Sequence, residues 1–433
     1  MSQRPLAANR RRSTIAAATA MLVLVGGGSA QASTSHAGHR QKAHKAAHAA
    51  HRSAARWPLA ATSIWNTPVG STARYTAFYA TTDDHGGRAS APGIQGPGIA
   101  LSPTGAVTTG SGIDAGLDVS WIYTAKATDP LVTVHQQRAW GPGRCAGATA
   151  AHTSGADPTP LRLHLPDAVV IPDASGGATP NNSAAIIQPD GTVAQFNVAA
   201  RCSAGADDFT ATPAWQLNPL DPASAHADAQ LTGAGTYGGH GGSGLSALGG
   251  TLTAADITSR APIHHALSLD INGAEYLYDD GTSGHVWPAQ TQDAAATSAD
   301  YYGGYHGRTP ALRMGALLAV PPRVTAASLG LSTALGIKLF HALQDYGSYV
   351  VDDTGWSSVD LNVDQHADAA AKATYGYSVS GGKPGSPWGA DNPAYYRDLM
   401  SIYAHLEVIS NNSASSVGGG GRHHRAAPAP SFG

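Results

Sequence analysis

Glycine and proline break the apolar runs of this chain into short pieces. It carries 52 glycines and 27 prolines in 433 residues, and both are the poorest residues for a helix interior. Long helices are therefore confined to a few windows, and short strands joined by turns must make up most of the fold. Leu117–Tyr123, Pro130–His135 and Leu161–Leu165 read as strands, Ala168–Pro172 as a buried strand, and Ala266–Ile271 as a half-buried one. Ala184–Gln188 and Thr192–Val198 flank Pro189-Asp190-Gly191, which predicts a β-hairpin. Ala274–Tyr278, Gly284–Trp287, Gly315–Val320 and Ser348–Asp352 add further short strands. Helices are predicted over Thr333–Tyr346, where Leu335, Leu339, Ala342, Leu343 and Tyr346 share a face, and over Asn392–His405. The expected class is mainly β, a jelly roll or β-sandwich with a few short helices.

The ends differ in composition from the middle. Arg4 and Arg10–Arg12 precede the apolar run Thr14–Val25, and Ala30-Gln31-Ala32 fits a small-residue cleavage site. Residues 1–32 thus read as a signal peptide, with the paired arginines compatible with a twin-arginine route. Residues 33–56 are rich in alanine and carry His36, His39, His44, His48 and His51. They read as a disordered linker, with histidines also spaced for divalent metal or for a pH-dependent tether. A β-rich globular domain is expected over 57–412, and a Gly/Pro-rich disordered tail over 413–433. No later stretch is long and apolar enough to span a bilayer. The expected product is a secreted, extracellular monomer without a membrane span.

Charged residues are 13 % of the chain and the net charge is −3. That balance, with no basic helix, excludes a nucleic-acid partner and suits an extracellular polysaccharide or cell-wall polymer. Cys145 and Cys202 are the two cysteines, and in an exported protein the simplest use of a pair is one disulfide. The loop it closes is worth roughly 4 kcal/mol by chain entropy.

The richest stretch for chemistry is Gly238–Leu269, where a glycine-rich turn holds His240 and Ser243, and His264-His265 stand before a strand. Glycines let backbone approach a ligand closely. Ser243 lacks the final glycine of a nucleophile elbow. His240, His264, His265 and His285 lack the helical spacing of a zinc motif, so neither metal nor cofactor is expected.

Several pieces occur together in one order: Ser63-Ile64-Trp65-Asn66-Thr67-Pro68, Ile187-Gln188-Pro189-Asp190-Gly191, Ser243-Gly244-Leu245, Ile263-His264-His265-Ala266-Leu267, Val286-Trp287-Pro288-Ala289, Met314-Gly315 and Ala342-Leu343-Gln344-Asp345-Tyr346-Gly347. In this the chain resembles a group of uncharacterised secreted bacterial proteins, many from actinobacteria. The resemblance covers about Ile186–Asp353. It implies a β-rich extracellular domain, points at Asp190, His265, Met314-Gly315 and Asp352, and transfers no settled chemistry. This chain departs from the pattern at Gln290-Thr291, where the others carry Arg-His, and at Leu317-Leu318, where they carry an arginine.

Two catalytic readings follow. A glycosidase needs two carboxyls about 5 to 9 Å apart, and Asp190 with Asp352 is the candidate pair. Neighbouring carboxylates such as Asp352-Asp353 or Asp279-Asp280 would face opposite ways on a regular strand. A lyase acting on a uronic-acid polymer needs a base, with His265 and His240 as candidates, and a partner such as Arg313. Tyr302, Tyr305 and His306 lie in an aromatic loop suited to stacking sugar rings. The expectation is a secreted carbohydrate-active protein that cleaves polysaccharide, lyase-like, with a non-catalytic wall-binding or polysaccharide-binding protein as the alternative.

Overall fold

The computed structural model describes residues 52–78, 114–136, 144–145, 162–173, 182–206, 209–213, 230–299, 304–354, 358–380 and 391–432. The signal-peptide reading, nearly all of the linker and Tyr302 lie outside the described residues.

Strands dominate. They are β1 (Tyr75–Thr76), β2 (Asp114–Thr124), β3 (Leu131–Thr133), β4 (His135–Gln136), β5 (Arg162–His164), β6 (Ala184–Ile187), β7 (Val193–Ala200), β8 (Thr210–Pro213), β9 (Leu267–Asn272), β10 (Leu317–Ala319), β11 (Ser348–Thr354), β12 (Ser358–Asp364) and β13 (Glu407–Ile409). Helices are few: α1 (Ala254–Thr258), α2 (Gly273–Tyr276), α3 (Ala334–Asp345), α4 (Ala367–Tyr375) and α5 (Pro393–Tyr403). Eleven strands form one sheet in the order β1-β13-β10-β11-β9-β12-β2-β6-β7-β8-β4, while β3 and β5 pair separately. The sheet is mixed. β9 and β11, β12 and β2, β2 and β6, and β4 and β8 run parallel, and the other neighbours antiparallel. A jelly roll pairs its strands antiparallel, so these parallel pairs are a departure from that expectation.

The predicted hairpin is β6–β7, with Gly191 at φ +84° in its turn. The two predicted helices are α3 and α5. Thr333 caps α3 by accepting from the Gly336 amide, and Asn392 caps α5 ahead of Pro393. Asp398 of α5 accepts from the Thr333 amide at 2.7 Å, which ties the two helices together.

Other expectations give way to local chemistry. Ala274–Tyr278 is not a strand, because the Asn272 side chain accepts from the Glu275 amide and starts the short helix α2. Ala168–Pro172 yields only a bridge between Ile171 and Arg201, with Val170 38 % exposed. Gly284–Trp287 contributes a single bridge, His285 to Met314. Helix α4 was not expected: it buries only Ala367 and Ala371, so it shows no stripe of large apolar residues.

Strand β9 is buried along its whole length, where alternation predicts a half-buried strand. Its central place in the sheet explains the difference. One face, with Leu267, Leu269 and Ile271, packs in a cluster with Leu335, Leu339 and Phe340 of α3 and Leu399 and Ile402 of α5. The opposite face carries Ser268, Asp270 and Asn272. β12 continues the pattern with Val359, Leu361 and Val363 against Ser358, Asp360 and Asn362, and β2 with Leu117 and Val119 against Asp118 and Ser120. Register aligns Asp270 with Asp360 and Asn362 with Asp118. A polar row therefore crosses the middle of the sheet, opposite the main core.

The chain ends also pack. Arg52 falls in the stretch read as linker, yet its guanidinium donates to Pro58 O at 3.0 Å and sits 4.0 Å from the Phe432 ring. Residues 413–432, read from composition as a disordered tail, are placed against the N-terminal segment. Gly70 N donates to Gly418 O at 2.9 Å, Ser71 N to His423 O at 2.8 Å, and the Tyr346 hydroxyl to Ala427 O at 3.3 Å. Backbone pairing of this kind does not depend on side-chain hydrophobicity, so composition misses it. Cys145 and Cys202 form the expected disulfide, with Cα atoms 5.6 Å apart.

Candidate active site

The polar row ends at a β-bulge. Along β11 the register with β9 shifts between Val350 and Asp352, after which Asp352 lies opposite Asp270 and Asp353 opposite Ile271. Bulges re-aim side chains. Here Asp352 and Asp353, which would diverge on a regular strand, each bring a carboxylate oxygen within 4.8 Å of the other and of an Asp293 oxygen. The expectation that adjacent carboxylates supply one group at most holds for a regular strand and fails at this bulge.

The glycine-rich stretch 238–252 runs beside these groups. Gly242 N donates to Asp352 Oδ1 at 2.9 Å, and Asp353 N donates to the same atom at 2.9 Å. Ser243 N donates to Val351 O at 3.0 Å. A Cβ on Gly241 would collide with the Asp352 carboxylate, and one on Gly242 with that of Asp293. The glycines thus serve a close approach of backbone to carboxylate. On the far side, the Tyr305 hydroxyl donates to Asp293 Oδ2 and accepts from the Asp293 amide at 3.3 Å.

Burial and mutual repulsion set the charge of the cluster. Burial, then Asp293 and Asp353, push Asp352 well above the usual carboxylate range. Burial and Asp293 push Asp353 up to about 8. Burial raises Asp293 too, while the Tyr305 hydrogen bond pulls it back. Next in the row, burial raises Asp270, reinforced by Asp118, Asp352 and Asp360 and opposed by Asn362, whose Nδ2 donates to Asp270 Oδ1 at 3.0 Å. Carboxyls this close do not all ionise at neutral pH. Carboxyls that share protons in this way are the raw material of acid–base catalysis.

Of the residues expected from sequence, Asp352 is in this cluster and only 4 % exposed. Tyr305 is there as well, buried as a hydrogen-bond donor where an exposed stacking ring was expected. The others lie elsewhere. His265 precedes β9, five residues before Asp270, or about 16 Å of extended chain. Its Nε2 is 3.3 Å from Asp256 Oδ2 and its Nδ1 2.9 Å from Ala266 O. Burial lowers its pKa, but the charge and hydrogen bond of Asp256 outweigh that and raise it. Asp190 sits exposed in the hairpin turn, accepting from the Thr192 amide at 2.9 Å. His240 is 1 % exposed, and burial, opposed by the Gly249 backbone, takes it down to about 3. It is a neutral imidazole in the interior. Arg313 pairs with Asp280 at 2.8 Å and lies over the Tyr278 ring. His306 bridges to Tyr278 by backbone. The Ser243 hydroxyl is buried and accepts from the Leu245 amide at 3.1 Å, as in a structural turn.

Sequence reasoning missed Asp293 and Asp353 as partners of Asp352, and Asp270 with Asn362 behind it. One signal was present: Ser268-x-Asp270-x-Asn272 and Ser358-x-Asp360-x-Asn362 repeat polar residues at period two inside otherwise apolar strands. No family model, curated protein or solved structure matches this chain.

Proposed function

We propose that this chain is an exported carbohydrate-active enzyme that hydrolyses a glycosidic bond with the Asp293–Asp353 pair. The observation that carries the reading is the convergence of three carboxylates within 4.8 Å, with Asp353 raised to about 8. Asp353 then bears a proton at neutral pH and donates it to the glycosidic oxygen. Asp293, whose carboxylate form is supported by Tyr305, attacks the anomeric carbon. Carboxylate oxygens no more than 4.8 Å apart lie on the short, retaining side of the glycosidase range, in which a covalent glycosyl-enzyme forms and is then hydrolysed. Asp352 is held beside the pair by Gly242 N and Asp353 N. The disulfide and the lack of a membrane-crossing helix among the described residues agree with export.

Hydrolysis is favoured over the lyase-like expectation. Elimination needs a cation to neutralise a uronate, but Arg313 is engaged by Asp280 and His265 by Asp256. The test is a screen of the secreted protein on neutral and uronic-acid polysaccharides, read by new reducing ends and by ultraviolet absorbance of an unsaturated product. Reducing ends that vanish in Asp353→Asn and Asp293→Asn support the proposal. Unsaturated product returns the reading to a lyase, and binding without product to a polysaccharide-binding module.

One observation favours a second reading. Carboxylate oxygens within 4.8 Å of each other suit a hard cation with ligands at about 2.4 Å, such as calcium. Asp293, Asp352 and Asp353 would hold it. A rise in melting temperature on adding calcium, reversed by a chelator and lost in Asp353→Asn, supports that use of the cluster.

A further inference from the structure

A groove of about 390 Å³ lies at the β1 edge of the sheet, away from the carboxyl cluster. β1 is separated from β11 by β13 and β10, which is about 14 Å across the strands. The groove is lined by Gly70, Ser71, Ala73, Tyr75 and Pro322, and by His423, His424 and Arg425 of the C-terminal segment.

Two features of the lining point to a class of ligand. The first is charge: the lining contains a guanidinium, two imidazoles and no carboxylate. Those basic residues are held in place by backbone pairing. Ser71 N donates to His423 O at 2.8 Å and Arg425 N to Val69 O at 2.9 Å, and Gly70 bridges to His424. His424 Nδ1 lies 3.0 Å from Pro68 O, which orients that ring. Arg425 Nε stands 3.5 Å from Asp345 Oδ1, outside the lining, at a distance longer than a tight charge-assisted bond. The second feature is shape. Ala73, Pro322 and the half-buried Tyr75 supply an apolar wall. Burial raises the Tyr75 pKa, with Arg425 opposing, so the phenol stays a neutral donor beside the guanidinium. An apolar wall with a hydroxyl donor fits a sugar ring, and the volume is that of a small-ligand site.

We infer that this groove binds a carboxylate-bearing saccharide unit, with Arg425 and His423 facing its carboxylate and Tyr75 against its ring. This site is independent of the catalytic proposal. It would hold the chain on an acidic polysaccharide whether or not the carboxyl cluster cleaves it.

The experiment is calorimetric titration of the whole secreted protein with uronic-acid oligosaccharides, their neutral counterparts and inorganic phosphate. The uronate oligomer is expected to bind at least about tenfold more tightly than the neutral one. Arg425→Gln and Tyr75→Ala are each expected to weaken it about tenfold. Because Arg425→Gln also removes the contact to Asp345, His423→Ala serves as a second variant without that contact, and each melting temperature is recorded. The titrations are run in an Asp353→Asn background as well as in the parent, so that cleavage at the carboxyl cluster does not obscure binding at the groove. Equal binding of neutral and acidic oligomers, tighter binding of phosphate than of uronate, or folded variants that bind as the parent does would each overturn the assignment.

Discussion

Asp352 and Asp270 stand side by side on the parallel strands β11 and β9, the first pair in register after the bulge. Both are buried, burial raises the pKa of each, and Asp352 raises that of Asp270 further. A sheet rarely places two carboxyls together in its centre, because burying charge is costly unless it is paired or neutralised. Protonation is the means available within the row itself, so its carboxyls are tied to pH.

A carboxyl whose folded pKa is raised binds its proton more tightly in the native state than in the unfolded one. Its contribution to stability is full below the unfolded value, near 4, and is lost as pH rises toward the folded value. For Asp353 that window runs up to about 8. Melting temperature should therefore fall between pH 4 and 8, and Asp353→Asn should flatten the fall. The variant should match the parent near pH 4 and exceed it at pH 8. Parallel curves for the two proteins would show that Asp353 is not a proton-holding group.

His265 loses its contribution in the same direction of pH, but by giving up a charge that Asp256 favours. Its folded pKa is raised by Asp256, so the stability it supplies is present below about pH 6.5 and is lost as pH rises through the folded value. Asp256, lowered to about 2 even though burial opposes this, loses its share only as pH falls toward that value. The pair braces α1, where Thr253 and Asp256 form a reciprocal cap, against the start of β9. His265→Gln should cost about 2 kcal/mol at pH 5.5 and less at pH 8.5, measured by urea unfolding. It should leave polysaccharide cleavage within about twofold of the parent. A large loss of turnover in a stable His265→Gln protein would return this residue to the catalytic list.

What was legible in the sequence is what is local. The Asp190-Gly191 turn, the capped helices α3 and α5, and the strand at Ser348–Asp352 follow from residues near one another in the chain. The carboxyl cluster was only half legible, because it depends on a bulge. Nothing in Val350-Val351-Asp352-Asp353 announces a register shift against a strand about 80 residues earlier. Asp293 lies in irregular chain, where no periodicity points to it. His265 invited a catalytic role through its motif, but its partner turned out to be a helix-capping aspartate nine residues away. The tail was misleading for a different reason: its glycines and histidines are held by main-chain bonds to Gly70 and Ser71.

Gly242 tests the cluster without altering any ionisable group. A Cβ there would also come within 2.6 Å of Met314 Cε, so Gly242→Ala must displace Asp293 or Met314. A cost of about 2 kcal/mol is expected, together with a loss of cleavage of at least about a hundredfold, since a misplacement of about 1 Å is enough for that. Gly281→Ala is the control. It has the left-handed φ of +80° but no atom within 4 Å of the added Cβ, so it should cost about 1 kcal/mol and leave cleavage intact. Equal effects of the two substitutions would show that crowding at the carboxylates is unimportant.

Tyr305→Phe removes one hydroxyl and keeps the ring. In the parent that hydroxyl donates to Asp293 and holds its pKa below where burial alone would put it. Without it the Asp293 carboxyl should ionise at higher pH. If Asp293 is the nucleophile, the acidic limb of the pH–rate profile reports its ionisation, and that limb should move to higher pH in the variant. The maximal rate should fall about tenfold, the scale of one lost hydrogen bond to a charged group. The alkaline limb, set by Asp353 giving up its proton, should move little. Because Tyr305 also packs in the main core, retention of the ring keeps the variant folded, and its melting curve verifies that. A profile that drops in height without moving sideways would mean that Tyr305 only supports the fold, and the assignment of Asp293 as the ionised partner would fail with it.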